Sequence, residues 1–249
     1  MTTDYDKIAD RYGECVNLPI STCVEMYSLQ KLVGDVKGKK VLDVACGEGR
    51  FTRLLRDAGA AEVIGFDISE RMINLAREQE ADNPLGITYL VEDARTAAVP
   101  HQDFDLVVAA WLLSCARDRA ELRRMCEGLA SRIKPGGRFV AVTTNPEVYS
   151  FKRPLDYQKY GYEKIQLADH AFEGAPIKVT LRLEDTSLDF EDYYLPMDAC
   201  RTELTGAGFR DFAVHSPEAL PQPVNSSDDH FWDDFVNHPV FVLIDCTKT

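Results

Sequence analysis

The sequence predicts an α/β fold, a doubly wound and mostly parallel sheet with helices on both faces, and three observations predict it. Residues 41–52 run from the apolar stretch Val41-Leu42-Asp43-Val44-Ala45 through Cys46-Gly47-Glu48-Gly49 into Arg50-Phe51-Thr52. That order is a buried strand, a tight turn and the start of a helix. Short apolar runs then alternate with segments whose apolar residues recur every three or four positions. Finally, Asp67 closes the apolar run Val63-Ile64-Gly65-Phe66, 20 residues after Gly47. Strands that alternate with helices require right-handed crossovers, and so a parallel sheet covered on both faces.

Taken in order, residues 1–36 read as helical, with Ile8, Tyr12, Val24, Tyr27, Leu29 and Leu32 as apolar positions. A strand at 40–45 leads to a helix at 49–58, whose core face includes Leu54 and Leu55. A second strand at 62–66 precedes a helix at 70–80, for which Ser69 is the N-cap. Strands follow at 87–91 and 104–109. A helix at 118–133 repeats Leu122, Met125, Cys126 and Leu129 at helical spacing, and Pro135-Gly136-Gly137 ends it before a strand at 137–143.

After Thr144 the rhythm changes. Residues 145–175 are rich in Tyr, Lys and Asp without a clean period. Residues 177–194 alternate around Glu184-Asp185-Thr186, which predicts a β-hairpin. A helix near 197–206, a strand near 209–215 and a final strand at 239–246 complete the chain. The expectation is one domain over 1–249: a helical N-terminal lid (1–36), a cofactor-binding core (37–144), a substrate-covering insertion (145–195) and a segment completing the sheet (196–249).

Bulk properties narrow the partners. A hydrophobic content of 45% supports a substantial core. The formal charge of −13, with no basic run, argues against nucleic acid, because phosphate binding relies on clustered Lys and Arg. The 7 cysteines are scattered without a Cys-x-x-Cys pair, and the 5 histidines have no ligand spacing, so no metal site is expected. The Met-Thr-Thr-Asp-Tyr-Asp-Lys start has no signal-peptide character, and no 18-residue apolar run occurs, so a cytoplasmic protein without a membrane partner is expected, as a monomer or homodimer.

The glycine turn itself is shared by many nucleotide-binding folds, and the acids around it separate them. A dinucleotide would bring its pyrophosphate to Gly47 and Gly49, where Asp43 and Glu48 would repel it. Thr52 also stands where the dinucleotide fingerprint needs a third glycine. A ligand with a free ammonium group suits Asp43. S-adenosylmethionine, with an adenosine end and an α-amino acid end, fits both that acid and Asp67, whose carboxylate lies at the distance for gripping ribose hydroxyls.

With these motifs the chain resembles the class I S-adenosylmethionine-dependent methyltransferases through residues 1–145. Tyr5 to Tyr12 looks like the helix that folds over the cofactor, and residues 41–49, which include Ala45, match the glycine motif. Asp67 matches the ribose-binding acid, with Ile68 flanking the adenine. Glu92-Asp93-Ala94 looks like the adenine-contacting motif, and Phe104 to Trp111, which includes Ala109, matches the fourth-strand motif. Ile133 to Gly137 matches the turn before the fifth strand. The resemblance implies a Rossmann-like seven-stranded sheet with an antiparallel last strand, S-adenosylmethionine as cofactor and S-adenosylhomocysteine as product. A further likeness, to toxoflavin-forming azapteridine methyltransferases, rests on Ala109 to Leu112, the insertion and Phe231-Trp232-Asp233-x-Phe235, and implies a small heterocyclic acceptor.

Methyl transfer from a sulfonium is an in-line displacement in which positive charge disperses. Alignment matters more than charge stabilisation, and holding two reactants in line supplies roughly 7–11 kcal/mol. An aromatic pocket and a lid are therefore expected, rather than a catalytic triad. Trp111 is the leading acceptor-site residue, with Tyr149, Tyr194 and Trp232 as further substrate contacts and His170 or His215 as a general base. Tyr5 and Tyr12 close over the methionine moiety, Asp43 orients its ammonium, and Gly47 and Gly49 let backbone approach it. Missing signatures disfavour nucleic-acid and protein-arginine acceptors: no Asp- or Asn-Pro-Pro-aromatic tetrapeptide follows the fourth strand, and residues 111–117 contain no glutamate. A basic peptide acceptor, a cofactor-binding protein without turnover and a nicotinamide oxidoreductase are the competing readings.

Overall fold

The computed structural model describes residues 5–96, 103–150, 157–183, 186–220 and 231–249. In chain order the elements are α1 (Tyr5–Tyr12), α2 (Met26–Val33), β1 (Lys40–Val44), α3 (Arg50–Asp57), β2 (Glu62–Asp67), α4 (Glu70–Asp82), β3 (Thr88–Val91), β4 (Phe104–Ala110), α5 (Arg119–Ala130) and β5 (Ile133–Thr144). They continue with β6 (Tyr162–Gln166), β7 (Ala175–Arg182), β8 (Ser187–Tyr194), α6 (Met197–Gly206), β9 (Phe209–His215), α7 (Asp233–Asn237) and β10 (Phe241–Lys248).

Seven strands form one sheet in the order β3-β2-β1-β4-β5-β10-β9. The pairings β1 with β2, β2 with β3, β1 with β4 and β4 with β5 are parallel, whereas β10 is antiparallel to both neighbours. This is the Rossmann-like sheet with an antiparallel last strand that the motifs imply. The strand order reverses between β1 and β4, and in open α/β sheets ligands bind at the carboxyl ends of the strands at such a reversal.

Alternate residues of the central strands enter two separate cores. Val41, Val63, Val108 and Val140 pack beneath α2, α3 and α4, while Leu42, Ile64, Val107 and Phe139 pack against α5 and α6. Strands buried on both faces must read as continuous apolar runs, which is why they were visible in the sequence. Helix starts are fixed by side-chain caps, with Met72 N–H donating to Ser69 Oγ at 3.1 Å and Glu121 N–H donating to Asp118 Oδ1 at 2.7 Å. The C-terminal carbonyls of α2 accept from Arg138, at 3.0 Å for Leu32 and 3.1 Å for Val33.

Three expectations need correction. The N-terminal 36 residues are not one helical run: α1 passes into a 3-10 turn (Gly13–Asn17), and a π-helical turn (Ser21–Glu25) precedes α2. The helix expected to reach 133 stops at Ala130, because Ile133 already pairs with Phe104. Pro135-Gly136-Gly137 therefore interrupts β5 rather than preceding it, and pairing resumes with Leu106 opposite Arg138. In the insertion the hairpin is present as β7 and β8, but β6 joins them to form a separate three-stranded sheet. Residues 184–185 of the expected turn lie outside the described residues, and Leu183 N–H donates to Thr186 C=O across it at 2.8 Å. Among the described residues no helix is long and apolar enough to cross a membrane.

Candidate functional site

The site grows from the turn after β1. Ala45, Gly47 and Gly49 have φ values of +57°, +56° and +85°, so the chain coils tightly at the head of α3. Cys46 N–H donates to Phe66 C=O at 3.0 Å and ties the turn to β2. Asp67, at the end of β2, accepts from Gly47 N–H at 3.0 Å and Ser69 N–H at 2.9 Å. Burial raises its pKa, opposed by those backbone donors. One carboxylate thus locks the turn to the neighbouring strand and lies at the cavity wall.

Two cavities open above the sheet's carboxyl edge. The larger, of about 260 Å³, is bounded by Asp67, Ile68, Asp93, Ala94, Leu112 and Tyr193 among others. The smaller, of about 150 Å³, lies between the π turn, the head of α3 and the three-stranded sheet, with Glu25, Arg50, Tyr162 and Asp192 in its wall. Tyr5, Tyr12, Ala45, Gly47, Ala110 and Trp111 border both, so the two spaces meet there.

Ile68 is 56% exposed, an apolar side chain left open at the larger cavity. Asp93 also lines that cavity, with its carboxylate gripped by Arg95 through Nε and Nη2, which lowers its pKa. Arg95 continues to Glu121, which Arg117 binds from the other side. Burial pushes Glu121 up, yet the donors on Arg117 and Arg95 outweigh it and hold the group at about 2. Two acids and two guanidinium groups therefore form a fixed charged rim on this cavity.

Trp111 has φ +64°, an unusual backbone for a bulky residue. Its N–H donates to Val142 C=O at 2.9 Å, its ring meets Phe241 edge-on at 5.5 Å, and its indole Nε1–H donates to Glu25 Oε1 at 2.9 Å. Burial raises Glu25 to about 7, with the Trp111 donor and the Arg50 charge opposing. Behind it, Lys164 and Asp192 form an ion pair of 2.8 Å with side chains only 2% and 4% exposed, and Lys164 also donates to Thr144 Oγ1. Burial pushes the Cys115 thiol up to about 12 and the Tyr5 hydroxyl well above its ordinary value, so neither is a ready nucleophile.

Several residues expected at the site lie elsewhere. Asp43 is buried beneath the turn, accepting from Thr52 Oγ1 at 2.6 Å, and borders neither cavity. Burial lifts it to about 7. Gly49 faces Tyr89, whose hydroxyl would lie 2.4 Å from an added Cβ, so this glycine serves packing. Gly47 borders both cavities, and its added Cβ would meet nothing within 4 Å. Ala109 is wholly buried in the core, and Ala110 takes the cavity position, because successive strand residues face opposite sides.

Most of the residues expected on the acceptor side lie away from the two cavities. His170 is exposed beside Phe172 and borders neither of these two cavities. His215 lies on β9, also away from both. Tyr149 and Tyr194 pack edge-to-face on each other at 5.6 Å outside the two cavities. Trp232 stacks on Tyr160 at 4.9 Å within a cluster that includes Phe231 and Phe235, which anchors the start of β10 through Phe241. Glu25, Ala110, Tyr162, Asp192 and the Arg95–Glu121 pair were missed. Their positions depend on a π turn, on strand parity and on an unforeseen strand, none of which leaves a motif.

The architecture is the Rossmann-like α/β fold of the S-adenosylmethionine-dependent methyltransferases, whose cofactor is S-adenosylmethionine. Residues 41–137 match the family model described as a methyltransferase domain. Over 137 residues the chain is 31% identical to the ubiquinone biosynthesis O-methyltransferase of Coxiella burnetii, covering 55% of this chain and 57% of that protein. Over 101 residues it is 40% identical to the ribosomal protein L11 methyltransferase of Burkholderia vietnamiensis, covering 41% and 30% respectively. The aligned region thus spans little more than half the length of the first relative and less than a third of the second. In three dimensions the chain is similar to the CcbJ methyltransferase from Streptomyces caelestis, with a TM-score of 0.70, 18% identity, and coverage of 100% of this chain and 98% of that one.

Proposed function

We propose that this chain transfers the methyl group of S-adenosylmethionine to a nitrogen or oxygen of a small, planar or heteroaromatic molecule, in secondary metabolism. The observation that carries this reading is the meeting of two cavities at Trp111, one rimmed by Asp67, Ile68 and Asp93 and the other closed by the insertion. The donor set suits the cofactor. Asp67 is a buried acceptor for ribose hydroxyls, Ile68 an apolar surface for adenine, and Asp93 with Ala94 an edge for its polar atoms. Gly47 and Ala45 bring bare backbone to the methionine end, with Tyr5 and Tyr12 above it.

When bound, the cofactor supplies an electrophilic methyl on a sulfonium that leaves as a neutral sulfide. The chain's own part is to hold the acceptor in line, exclude water and manage the acceptor's proton. The two tyrosines and Trp111 border the meeting point and serve the first two tasks. A chamber of about 150 Å³ supports a small acceptor over a folded protein. The name of the ubiquinone biosynthesis relative points the same way, and that of the L11 relative points to a protein acceptor. The azapteridine likeness extends the small-molecule reading to a flat heterocycle.

The test is titration calorimetry of the purified chain with S-adenosylmethionine, S-adenosylhomocysteine and NAD, followed by turnover on planar heterocycles and phenols. Binding of the first two alone, with methylated product, supports the proposal. Affinity for NAD and none for S-adenosylmethionine overturns it, and cofactor binding without any turnover favours a non-catalytic binder.

A further inference from the structure

Two polar groups at the smaller cavity have hydrogen-bonding capacity left over among the described residues. Glu25 ends the π turn, and such widened turns recur at functional sites. Among the described residues its one hydrogen bond is from Trp111 Nε1 to Oε1, which leaves Oε2 for another partner. Tyr162, on β6, is 4% exposed, and its buried hydroxyl has no hydrogen-bond partner among the described residues. A buried hydroxyl without a partner is costly to keep, and a cavity wall is where a ligand would supply one.

The other charges around the cavity are accounted for. Asp192 from β8 is held by Lys164 from β6. Glu48 and Arg50 come from the turn and the head of α3, and the Arg50 charge reaches Glu25. Tyr5 and Tyr12 face it from α1, and burial raises the Tyr12 and Tyr162 hydroxyls, with the Glu25 charge adding to both. Ile20, Leu29, Val179, Leu181 and Phe190 supply an apolar wall. Lys164 is committed to Asp192 and the Arg50 charge already bears on Glu25, so a phenolate or carboxylate arriving beside Oε2 would meet the Glu25 carboxylate as a like charge. An ammonium, by contrast, meets an opposite charge in the Glu25 carboxylate as it enters.

Resting on the methyl-transfer reading above, we propose that the smaller cavity is the acceptor subsite and takes an amine nitrogen on an apolar body. Glu25 is the catalytic residue that receives the amine's proton, and the Tyr162 hydroxyl is a second anchor for the acceptor. An entering ammonium gives one proton to Glu25 Oε2, leaving a neutral amine beside a neutral carboxylic acid, the pair that a buried site favours. The nitrogen lone pair then forms the N–C bond as the S–C bond breaks, with the bonding pair staying on sulfur. Positive charge passes from sulfur to nitrogen, and the Glu25 proton returns to solvent as product leaves.

The two tryptophans allow a readout that needs no turnover. In a Trp232→Phe background Trp111 is the sole tryptophan, and its indole N–H reports on the Glu25 carboxylate. Its emission should titrate with a midpoint near 7, and Glu25→Gln, which keeps the acceptor oxygen, should abolish the response. With S-adenosylhomocysteine bound, benzylamine and phenethylamine should shift the emission saturably and p-cresol should not. Glu25→Gln and Tyr162→Phe should each weaken amine binding by at least about tenfold. Benzylamine methylation should fall by about 100-fold or more in Glu25→Gln. The proposal is overturned if p-cresol binds in preference, if Glu25→Gln binds and methylates amines like the parent, or if no amine binds while S-adenosylhomocysteine does. Failure of S-adenosylhomocysteine itself to bind would be a failure of the methyl-transfer reading, and of this proposal with it.

Discussion

Two glycines in one turn should respond in opposite ways to the same substitution. Gly47 and Gly49 both sit at positive φ, +56° and +85°, so alanine at either position meets the left-handed penalty of about 1–2 kcal/mol. Beyond that, their surroundings differ. A Cβ on Gly47 enters open space at the cavities, whereas one on Gly49 would sit 2.4 Å from the Tyr89 hydroxyl and 2.7 Å from its ring carbon. Tyr89 is 4% exposed and packed in the core, so it cannot swing into solvent. Overpacking of that kind adds about 1–3 kcal/mol.

Gly49→Ala should therefore cost about 2–5 kcal/mol in total, and Gly47→Ala about 1–2 kcal/mol. At a urea m-value near 3 kcal/mol/M, the gap of 1–3 kcal/mol separates the two midpoints by about 0.3–1 M. Cofactor affinity should reverse the order. The Gly47 methyl occupies ligand space and should weaken S-adenosylhomocysteine binding by at least about tenfold, or 1.4 kcal/mol, while folded Gly49→Ala retains most of its affinity. Urea melts and calorimetry on both variants check this. If Gly47→Ala were the less stable protein, or bound like the parent, the assignment of one glycine to the ligand and the other to Tyr89 would be wrong.

Asp67→Ala should lose cofactor affinity and also about 1–3 kcal/mol of stability, because the carboxylate accepts from Gly47 and Ser69; a urea melt with no shift would contradict this dual role. Lys164→Met strands a buried carboxylate and should cost about 3–5 kcal/mol, and adding Asp192→Leu should restore most of it, as thermal melts of the single and double variants would reveal. Asp43 is lifted from its ordinary 3.8 to about 7, so between those values the folded state holds a proton that the unfolded chain has lost. Stability should then fall as pH rises from about 4 through about 7, Glu25 adding the same sign. Urea midpoints at several pH values should show a shallower fall in Asp43→Asn, and an unchanged slope would remove Asp43 as a source. Trp111→Phe keeps the packing on Phe241 but loses the donor to Glu25, so it should impair turnover more than cofactor affinity, the reverse pointing to contact with the adenosine.

Much of the core was legible because its signals are local. The central strands are buried on both faces and so appear as unbroken apolar runs, and the turn from Ala45 to Gly49 must carry residues that tolerate positive φ. Asp67 was legible for the same reason, as a carboxylate standing at the end of such a run. Ala109 and Ala110 mark where local reading ends. Both are small residues in one strand, and their assignment depends on parity, which a strand boundary uncertain by one residue cannot fix. Three aromatic residues of the insertion and of the C-terminal segment lie away from the two cavities for a different reason. Tyr149, Tyr194 and Trp232 were conspicuous by type, yet each found another ring to pack on, because stacking among themselves buries apolar area as well as stacking on a ligand would.

Glu25 shows why the acceptor side resists this kind of reading. In sequence it is one acid in Ser-Thr-Cys-Val-Glu-Met-Tyr, a stretch whose helical pattern would send a glutamate to solvent. The π turn over Ser21–Glu25 changes the angular step, and Glu25 is half-buried in the wall of the smaller cavity instead. Its partner Trp111 carries the complementary distortion, a left-handed backbone at the end of β4. Each departure from regular geometry is unfavourable alone, and the hydrogen bond of 2.9 Å between the two side chains joins them at the place where the cavities meet. A helix and a strand, each departing from its usual geometry to bring one carboxylate and one indole together, would be a poor arrangement for packing alone. It is a coherent one for holding a proton acceptor beside a reacting nitrogen.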